Sequence, residues 1–171
     1  GLLEAANGGM VFLDEVGEMS PRMQVMLLRF LETGEIQRVG SDRALPPLDV
    51  RVVTATHRRL LEHVKDKTFR EDLYYRLNVI HIAIPPLRER RDDIEPLLQH
   101  SLSLFARAHN RPEPVLTEAA LGNLIAYAWP GNVRELRNVC ERLVLQRRTE
   151  VIDVEMLPAE IYGLRPHAGP A

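Results

Sequence analysis

Short apolar runs alternate along this chain with longer segments in which apolar residues recur every three or four positions. The first short run, residues 10–13, follows a glycine pair and ends at two carboxylates, Asp14 and Glu15. A run this short and this apolar predicts a strand that is buried on both faces of a parallel sheet. Because a buried charge is costly, we expect the two acids at the carboxyl end of the strand, where it emerges from the sheet.

Two further runs predict strands of the same sheet. Residues 49–57 are rich in β-branched side chains and end in Thr56 and His57, which are expected at the same edge as the two acids. Residues 79–84 form the third predicted buried strand, and His81 inside it is expected to be a core or edge histidine. Taken alone, Thr56 and His57 fit a helix cap and a surface imidazole as well as they fit a functional role.

Ser20 and Pro21 predict the start of a helix, as its N-cap and its first helical residue, and Gly34 predicts its end. Apolar residues recur between them at helical spacing: Met23, Met26, Leu27, Phe30 and Leu31. The two methionines are expected in the core. Residues 35–48 alternate, turn and then include two prolines, which predicts a projecting hairpin or loop.

The second half of the chain has a different, helical pattern. A charged connector at residues 88–93 precedes three amphipathic segments. Thr117 is the predicted cap of the second helix, and Asn132 with Glu135 resembles a capping box at the start of the third. Arg134 lies in the first turn of that third helix, where the helix dipole disfavours a cation, which hints at a partner elsewhere.

Composition limits the class of protein. The 171 residues are 45% apolar and 27% charged, as in ordinary globular proteins, and the net charge of −2 argues against a dedicated nucleic-acid-binding module. A single cysteine excludes an internal disulfide and favours a reducing compartment. No apolar run approaches the roughly 18 residues that a membrane span requires. The chain begins with Gly1 inside a helix-like segment, so we expect it to be a fragment.

The charged residues leave alternatives open. In a nucleotide hydrolase, Asp14 would hold Mg²⁺ through its water shell and Glu15 would orient or deprotonate the attacking water. Alternatively, Asp14 caps the following loop and Glu15 is merely solvated. Arg70 and Arg76 are six residues apart and do not stack on one helical face, yet they can point to one external site. The alternative for both is ordinary surface pairing with neighbouring acids.

Four blocks of this sequence carry a resemblance to one family. The first, GLLEAANGGMVFLDE, resembles the Walker B segment of the AAA+ ATPases that activate sigma-54 RNA polymerase, the bacterial enhancer-binding proteins. FREDLYYRLN is similar to the arginine-finger segment of that family, PPLRER to its link to the lid, and WPGNVREL to its sensor II segment. The blocks occur in the family's order and, together, span residues 1 to about 162.

The resemblance implies an α/β fold: a partial AAA+ (P-loop NTPase) parallel sheet with flanking helices, followed by a small all-helical lid domain. Residues 1–86 would be the C-terminal part of the AAA+ α/β subdomain, and residues 87–162 the helical lid. Residues 163–171 would be a linker toward a DNA-binding domain that is absent from this chain. Residues 35–48 would be the second pore-facing loop of the family.

The resemblance also implies roles for the residues at the sheet edge. Asp14 would coordinate Mg²⁺ and take part in ATP binding, and Glu15 would be catalytic by polarising the hydrolytic water. Thr56 and His57 occupy the sensor I position and would contact the nucleotide. Many family members carry Asn where His57 stands, although a neutral imidazole is also able to donate to a γ-phosphate.

Three arginines receive roles in the same way. Arg70 and Arg76 would be catalytic fingers that reach from one subunit into the ATP site of its neighbour, an effect on the order of 10³–10⁵ in rate where such fingers have been dissected. Arg134 would be the sensor II of the lid and would bind the nucleotide phosphates within its own subunit. The implied cofactors are therefore ATP and Mg²⁺.

The implied partners are the sigma-54 RNA polymerase holoenzyme, contacted through a GAFTGA loop that is missing from this chain, and identical subunits in a ring of six or seven. DNA would be bound only through a missing C-terminal helix-turn-helix, no membrane is involved, and the bacterial cytoplasm is the expected location. The phosphate-cradling motif G-x-x-x-x-G-K-S/T has no match in residues 1–171 and is expected upstream.

These absences leave two other functions to weigh. One is a non-catalytic AAA+-like interaction module, against which the intact acids and finger arginines argue. The other is a carboxylate metal hydrolase built on Asp14, Glu15 and Glu18, which lacks a further ligand cluster. Without a phosphate loop, the 171-residue chain is itself expected to bind ATP poorly and to fold weakly.

Overall fold

The computed structural model describes residues 1–36, 46–146 and 149–162. The chain divides into two compact units, Gly1–Ile82 and Ala83–Ala171. The first unit contains two strands and four helices in the order α1 (Leu2–Ala5), β1 (Gly9–Leu13), α2 (Pro21–Thr33), β2 (Val50–Thr54), α3 (Leu60–Lys65) and α4 (Glu71–Leu77), with a short 3₁₀ turn, Val16–Glu18, after β1.

Strands β1 and β2 form a parallel pair in the register Gly9↔Val50 to Leu13↔Thr54. The pairing continues beyond both strands, because the amide of Ala55 donates to the carbonyl of Leu13 (2.9 Å) and the amide of Val16 donates to the carbonyl of Ala55 (3.0 Å). The carboxyl ends of the two strands therefore meet at one edge, as the sequence predicts.

Neither face of β1 is fully buried, so the prediction of a strand enclosed on both sides is wrong. Val11 and Leu13 are half-buried, and Leu13 packs against the core of α2 and α4. Met10 and Phe12, on the opposite face, are 59% and 61% exposed. The reason is that no described element of this unit covers that face of the sheet.

The predicted third strand, residues 79–84, is also wrong: these residues have no strand structure and lie exposed. Val79, Ile80, Ile82 and Ile84 are between 76% and 79% exposed, and His81 is an exposed residue rather than a core histidine. An extended segment becomes a strand only when its backbone groups pair with a neighbour. Among the described residues, no strand lies beside this segment.

Helix α2 begins and ends as predicted. The Ser20 hydroxyl accepts a hydrogen bond from the amide of Met23 (3.3 Å), Pro21 is the first helical residue, and Gly34 ends the helix with φ 70°. Leu27 and Phe30 are buried with Phe69 and Leu73 of the α4 segment.

Two other expectations about this region have different outcomes. Met23 and Met26 are each about half exposed, so their prediction as core residues is wrong: the apolar stripe of α2 is wider than its neighbours cover. Most of the predicted hairpin, residues 37–45, lies outside the described residues, although the amide of Leu48 donates to the carbonyl of Gly34 (2.9 Å) beside it.

The second unit is helical, as predicted. Its main helices are α5 (Ile94–Ala108), α6 (Glu118–Ala126) and α7 (Asn132–Gln146), followed by the short α8 (Ala159–Tyr162). Short 3₁₀ turns span Leu87–Glu89, Arg91–Asp93 and Val154–Met156. One β feature is added to the all-helical expectation, since β3 (Val115–Leu116) and β4 (Val151–Ile152) form a two-residue parallel pair.

The core of the second unit lies between α5, α6 and α7. Its fully buried members include Leu98, Trp129, Leu136 and Cys140. The indole N–H of Trp129 donates to the carbonyl of Leu124 (2.8 Å), so the one polar atom of this side chain is satisfied. Burial raises the pKa of the Cys140 thiol to about 12, which keeps it protonated.

The turn before α7 differs from the predicted capping box of Asn132 and Glu135. Glu135 accepts a hydrogen bond from the amide of Gly131 (2.7 Å), four residues earlier, so it satisfies a backbone donor just before the helix without forming the capping box. Asn132, however, does not cap the helix. It is the first residue of α7, with φ 50°, and its side-chain oxygen accepts from the amide of Leu87 (2.8 Å). Thr117 caps α6 as predicted, through the amide of Ala120 (3.2 Å).

Among the described residues, no helix has both the length and the hydropathy to cross a membrane. The predicted linker, residues 163–171, lies outside the described residues.

Candidate functional site

The two predicted acids lie where β1 ends, in an unusual local geometry. Glu15 adopts the left-handed conformation (φ 54°, ψ 47°), which is uncommon for a residue other than glycine and occurs preferentially at functional sites. One oxygen of Asp14, Oδ1, accepts a hydrogen bond from the amide of Glu15 (3.0 Å). Asp14 therefore caps the loop with one oxygen, while its exposed carboxylate keeps the second oxygen for another ligand.

Glu15 is joined to the neighbouring strand end by His57. The ring Nδ1 of His57 lies 2.7 Å from Glu15 Oε2, and the His57 amide donates to the same oxygen over 3.4 Å. Because an ionised carboxylate only accepts hydrogen bonds, Nδ1 carries the proton in this contact. The hydrogen bond from His57 lowers the pKa of Glu15 below its usual value, with smaller contributions from the charges of His57 and Arg58. The geometry thus holds Glu15 as an anion.

Thr56 lies beside this contact and packs against the turn that follows Glu15. Its hydroxyl accepts a hydrogen bond from the amide of Arg58 (3.1 Å). A Cβ atom at Gly17 would lie only 2.8 Å from that hydroxyl oxygen, so glycine is what allows the turn to approach. The sheet edge therefore brings together Asp14, Glu15, Thr56 and His57 on two adjacent strand ends.

Arg58 is a residue of this site that the sequence interpretation missed. Its guanidinium forms an ion pair with Glu18 (2.5 Å) and donates to the carbonyl of Gly17 (3.4 Å). The available signal was a basic residue a few positions after the second strand and an acid a few positions after the first. With Glu18 paired, the described residues contain no group of three or more His, Cys, Asp or Glu side chains that could hold a metal ion by themselves.

The two proposed finger arginines make their contacts elsewhere in the first unit. Arg70, the N-cap residue of α4, donates from Nε and Nη2 to the two oxygens of Asp72 (3.0 and 2.6 Å). This bidentate contact lowers the pKa of Asp72. Arg76 donates from Nη2 to the carbonyl of Leu31 at the end of α2 (2.9 Å). Both side chains are exposed.

Gln24 is the second residue that the sequence interpretation missed. It is buried in α2, and its amide bonds to the carbonyls of Met19 and Thr68 and to the amide of Arg70. A glutamine within an amphipathic helix has no local signature that distinguishes it from a solvated residue. Only the tertiary structure shows that it faces inward.

Arg134 lies in the second unit, exposed on the first turn of α7. No hydrogen bond or ion pair joins it to another residue within the described part of the chain. The neighbouring Glu135 is occupied, because it accepts from the Tyr127 hydroxyl (3.0 Å) as well as from Gly131. Burial, followed by this contact with Glu135, raises the pKa of Tyr127.

The acids at the sheet edge are chemically suited to magnesium only in part. An exposed carboxylate oxygen on Asp14 is the type of ligand that Mg²⁺ prefers, yet one carboxylate is not a site. Magnesium commonly completes its octahedron with water and with nucleotide phosphates. The donor set therefore fits a magnesium–nucleotide complex better than an ion held by protein alone.

Comparison with known proteins identifies relatives over nearly the whole chain. Residues 1–83 match the model of the sigma-54 interaction domain, and residues 88–171 match that of an AAA+ ATPase lid domain. The chain is 50% identical over 158 residues to the transcriptional regulatory protein ZraR of Klebsiella oxytoca, covering 92% of this chain and 35% of that protein. It is 47% identical to the nitrogen fixation protein AnfA of Azotobacter vinelandii, covering 94% and 30%, respectively.

Solved structures give the same result. The crystal structure of NtrX from Brucella abortus superposes with a TM-score of 0.89 at 37% identity, over 96% of this chain and 38% of that one. NtrX in complex with ATP gives a TM-score of 0.87 at 36% identity, over 94% of this chain and 37% of that one. The chain spans about a third of the length of the relatives it matches. It belongs to the AAA+ family of sigma-54-dependent transcriptional activators.

Proposed function

We propose that this chain is part of a Mg²⁺-dependent ATPase that remodels sigma-54 RNA polymerase to start transcription. The observation that supports this function most directly is the pairing of Glu15 with His57 beside Asp14, at the carboxyl edge of a parallel sheet. That edge is where open α/β sheets bind ligands. The crystal structure of NtrX with ATP shows that a relative of this fold binds the nucleotide.

In this proposal Asp14 contributes its second carboxylate oxygen to the magnesium–nucleotide complex. Bound Mg²⁺ supplies charge neutralisation at the phosphates. Glu15 polarises and orients the attacking water, and the hydrogen bond from His57 favours its ionised form. His57 holds Glu15 in the position from which it acts, and Thr56 supports this strand end against Gly17.

The arginines complete the proposed site from other positions. Arg70 and Arg76 act on the nucleotide of a neighbouring subunit, and for Arg70 this requires that a phosphate replaces Asp72 as its partner. A guanidinium already held in bidentate geometry is suited to this exchange, because phosphate and carboxylate oxygens accept the same paired donors. Arg134 acts as a phosphate ligand from the lid unit.

The proposed assembly is a ring of six or seven identical subunits, since a finger in trans requires a neighbour. The sigma-54 polymerase holoenzyme is the proposed partner and the bacterial cytoplasm the proposed location. Contact with DNA is not assigned to any of the residues 1–171.

The test is the variant Glu15→Gln in the full-length protein, with Glu113→Gln as the matched control. Glu15→Gln keeps the shape of the side chain and removes its charge. ATP binding should stay within about threefold of the parent protein, while kcat for hydrolysis should fall by roughly 10²–10⁴-fold. Glu113, an exposed acid of the second unit, is not assigned a catalytic role, so its variant should retain most of the activity.

Two outcomes would contradict the proposal. Retained hydrolysis in Glu15→Gln would remove Glu15 from the catalytic role. A full-length parent protein that binds sigma-54 polymerase and has no ATPase activity would instead show a non-catalytic interaction module. Equilibrium binding of a fluorescent ATP analogue and release of inorganic phosphate are the two measurements required.

A further inference from the structure

We propose that Gln24 is a positioning residue for Arg70, and that it ties the start of α4 to the turn that follows Glu15. This inference rests on the function proposed above for Arg70. No catalytic contact is assigned to Gln24 itself. It acts through the backbone of the residue whose guanidinium is to reach a phosphate.

The contacts of Gln24 are unusually complete for a side chain that is only 1% exposed. Its Nε2 donates to the carbonyl of Met19 (3.0 Å) and to the carbonyl of Thr68 (3.1 Å). Its Oε1 accepts from the amide of Arg70 (2.9 Å). Both amide hydrogens are used, and each of the three backbone partners would lose a hydrogen bond if the amide were removed.

The partners of Gln24 come from two separate segments. Met19 directly follows the Val16–Glu18 turn, and its amide donates to the carbonyl of Val16 (3.3 Å). Thr68 and Arg70 flank Phe69, which is buried in the core beside Leu27 and Phe30. One side chain therefore joins the segment that continues from Glu15 to the segment that begins α4.

The position of Arg70 depends on this link because its own side chain does not cap α4. The amide of Arg70 lies before the first turn of the helix, and Gln24 provides its acceptor. The guanidinium is then aligned by its bidentate contact with Asp72. A catalytic group that is displaced by about 1 Å can lose on the order of 10² in rate, so a fixed backbone at Arg70 matters for a finger.

Filling space alone does not account for a glutamine here. Gln24 is buried in the same unit as the apolar core of Leu27, Phe30 and Leu73, and a methionine of similar size would fill the same volume. Methionine would leave the carbonyls of Met19 and Thr68 and the amide of Arg70 without their partner. The chemistry of the amide, rather than its volume, is therefore what the site uses.

The test is a double-mutant cycle in the full-length protein with Gln24→Met and Arg70→Ala. Gln24→Met alone should lower kcat for ATP hydrolysis by about tenfold or more and change KM for ATP by less than about threefold. In the Arg70→Ala background, the same substitution should cause no further loss, because its effect passes through Arg70. Gln99→Met, at an exposed position of α5, is the matched control and should leave kcat unchanged.

A second measurement follows the hydrogen bond itself, independently of hydrolysis. In Gln24→Met, hydrogen–deuterium exchange at the amide of Arg70 should accelerate by about tenfold or more, while exchange in α7 stays unchanged. Gln24→Asn, which keeps the amide on a shorter side chain, replaces Gln24→Met in both experiments if the latter does not fold.

The outcomes separate this inference from the proposed function. Equal fractional losses of kcat in both backgrounds, or unchanged exchange at Arg70, would overturn the positioning role while leaving the ATPase proposal intact. Normal hydrolysis by Arg70→Ala would overturn the finger role itself, and with it the reason for positioning Arg70. The inference is supported if Gln24→Met lowers kcat in the parent background alone and accelerates hydrogen–deuterium exchange at the amide of Arg70.

Discussion

At the scale of single residues, the state of Glu15 is decided by its neighbour on the adjacent strand. The sequence predicted that the two strand ends share an edge, and this expectation holds. It did not predict the direct contact between Glu15 and His57, since register and rotamer are tertiary properties. Gln24 was missed for the same reason: burial of one polar side chain in a helix depends on what packs over it.

The contact between Glu15 and His57 makes a prediction about pH. In His57→Phe, the pKa of Glu15 should rise toward the value of 4.5 for an unperturbed glutamate, because its main hydrogen-bond donor is lost. A depressed carboxylate pKa contributes stability that is present above pH 4.5 and lost as pH falls below it. The stability difference between the two proteins should therefore shrink on acidification from about pH 6 to about pH 3.

Carbon-13 NMR of labelled carboxylates measures this titration directly. Asp72, whose pKa is lowered by Arg70, serves as the internal control and should titrate identically in both proteins. An unchanged pKa for Glu15 in His57→Phe would mean that the hydrogen bond does not persist in solution.

At the scale of elements, local chemistry was a reliable guide at helix ends. Ser20, Pro21, Gly34 and Thr117 occupy the predicted capping positions, because a cap needs only the residue and its own first turn. Asn132 was assigned wrongly because its side chain finds a partner 45 residues away, at the amide of Leu87. Competition from a distant backbone group is not visible in a local motif.

The cap of α2 supports a stability prediction. Ser20→Ala removes the acceptor for the amide of Met23 and should lower the free energy of unfolding of the first unit by about 1 kcal/mol. Ser20→Thr retains a hydroxyl acceptor and should lower the free energy of unfolding by less. Denaturant unfolding of the 171-residue chain, followed by circular dichroism, compares the two, and equal losses would show that the cap contributes nothing.

At the scale of the whole molecule, the fold class was predicted correctly: a parallel pair of strands with flanking helices, and a helical second unit. The predicted burial of two apolar segments was wrong. Apolar runs at residues 10–13 and 79–84 show what the chain is suited to bury, but the sequence pattern does not reveal whether a covering partner is present. The exposed side chains on both segments are the consequence.

This exposed apolar surface predicts the behaviour of the 171-residue chain. It should bind the dye ANS and associate at micromolar concentration, because Ile80 and Ile82 lie uncovered. Ile80→Thr with Ile82→Thr should reduce both effects without lowering stability, since the side chains are not buried. Analytical ultracentrifugation and dye fluorescence measure this, with Val115→Thr, at an exposed position of the second unit, as the control. If the double variant associated as strongly as the parent chain, the surface responsible for association would lie elsewhere.

The buried indole of Trp129 has a spectroscopic consequence. It is the one tryptophan among the 171 residues, and it lies wholly inside the second unit. Its emission should be blue-shifted in the folded chain and should move to the red only when that unit opens. Tyr127, whose ring lies edge-on at 5.1 Å, is close enough to pass its excitation to the indole. The emission of Trp129 therefore reports on the unfolding of the helical unit alone. Unfolding around α2 should leave that emission unchanged.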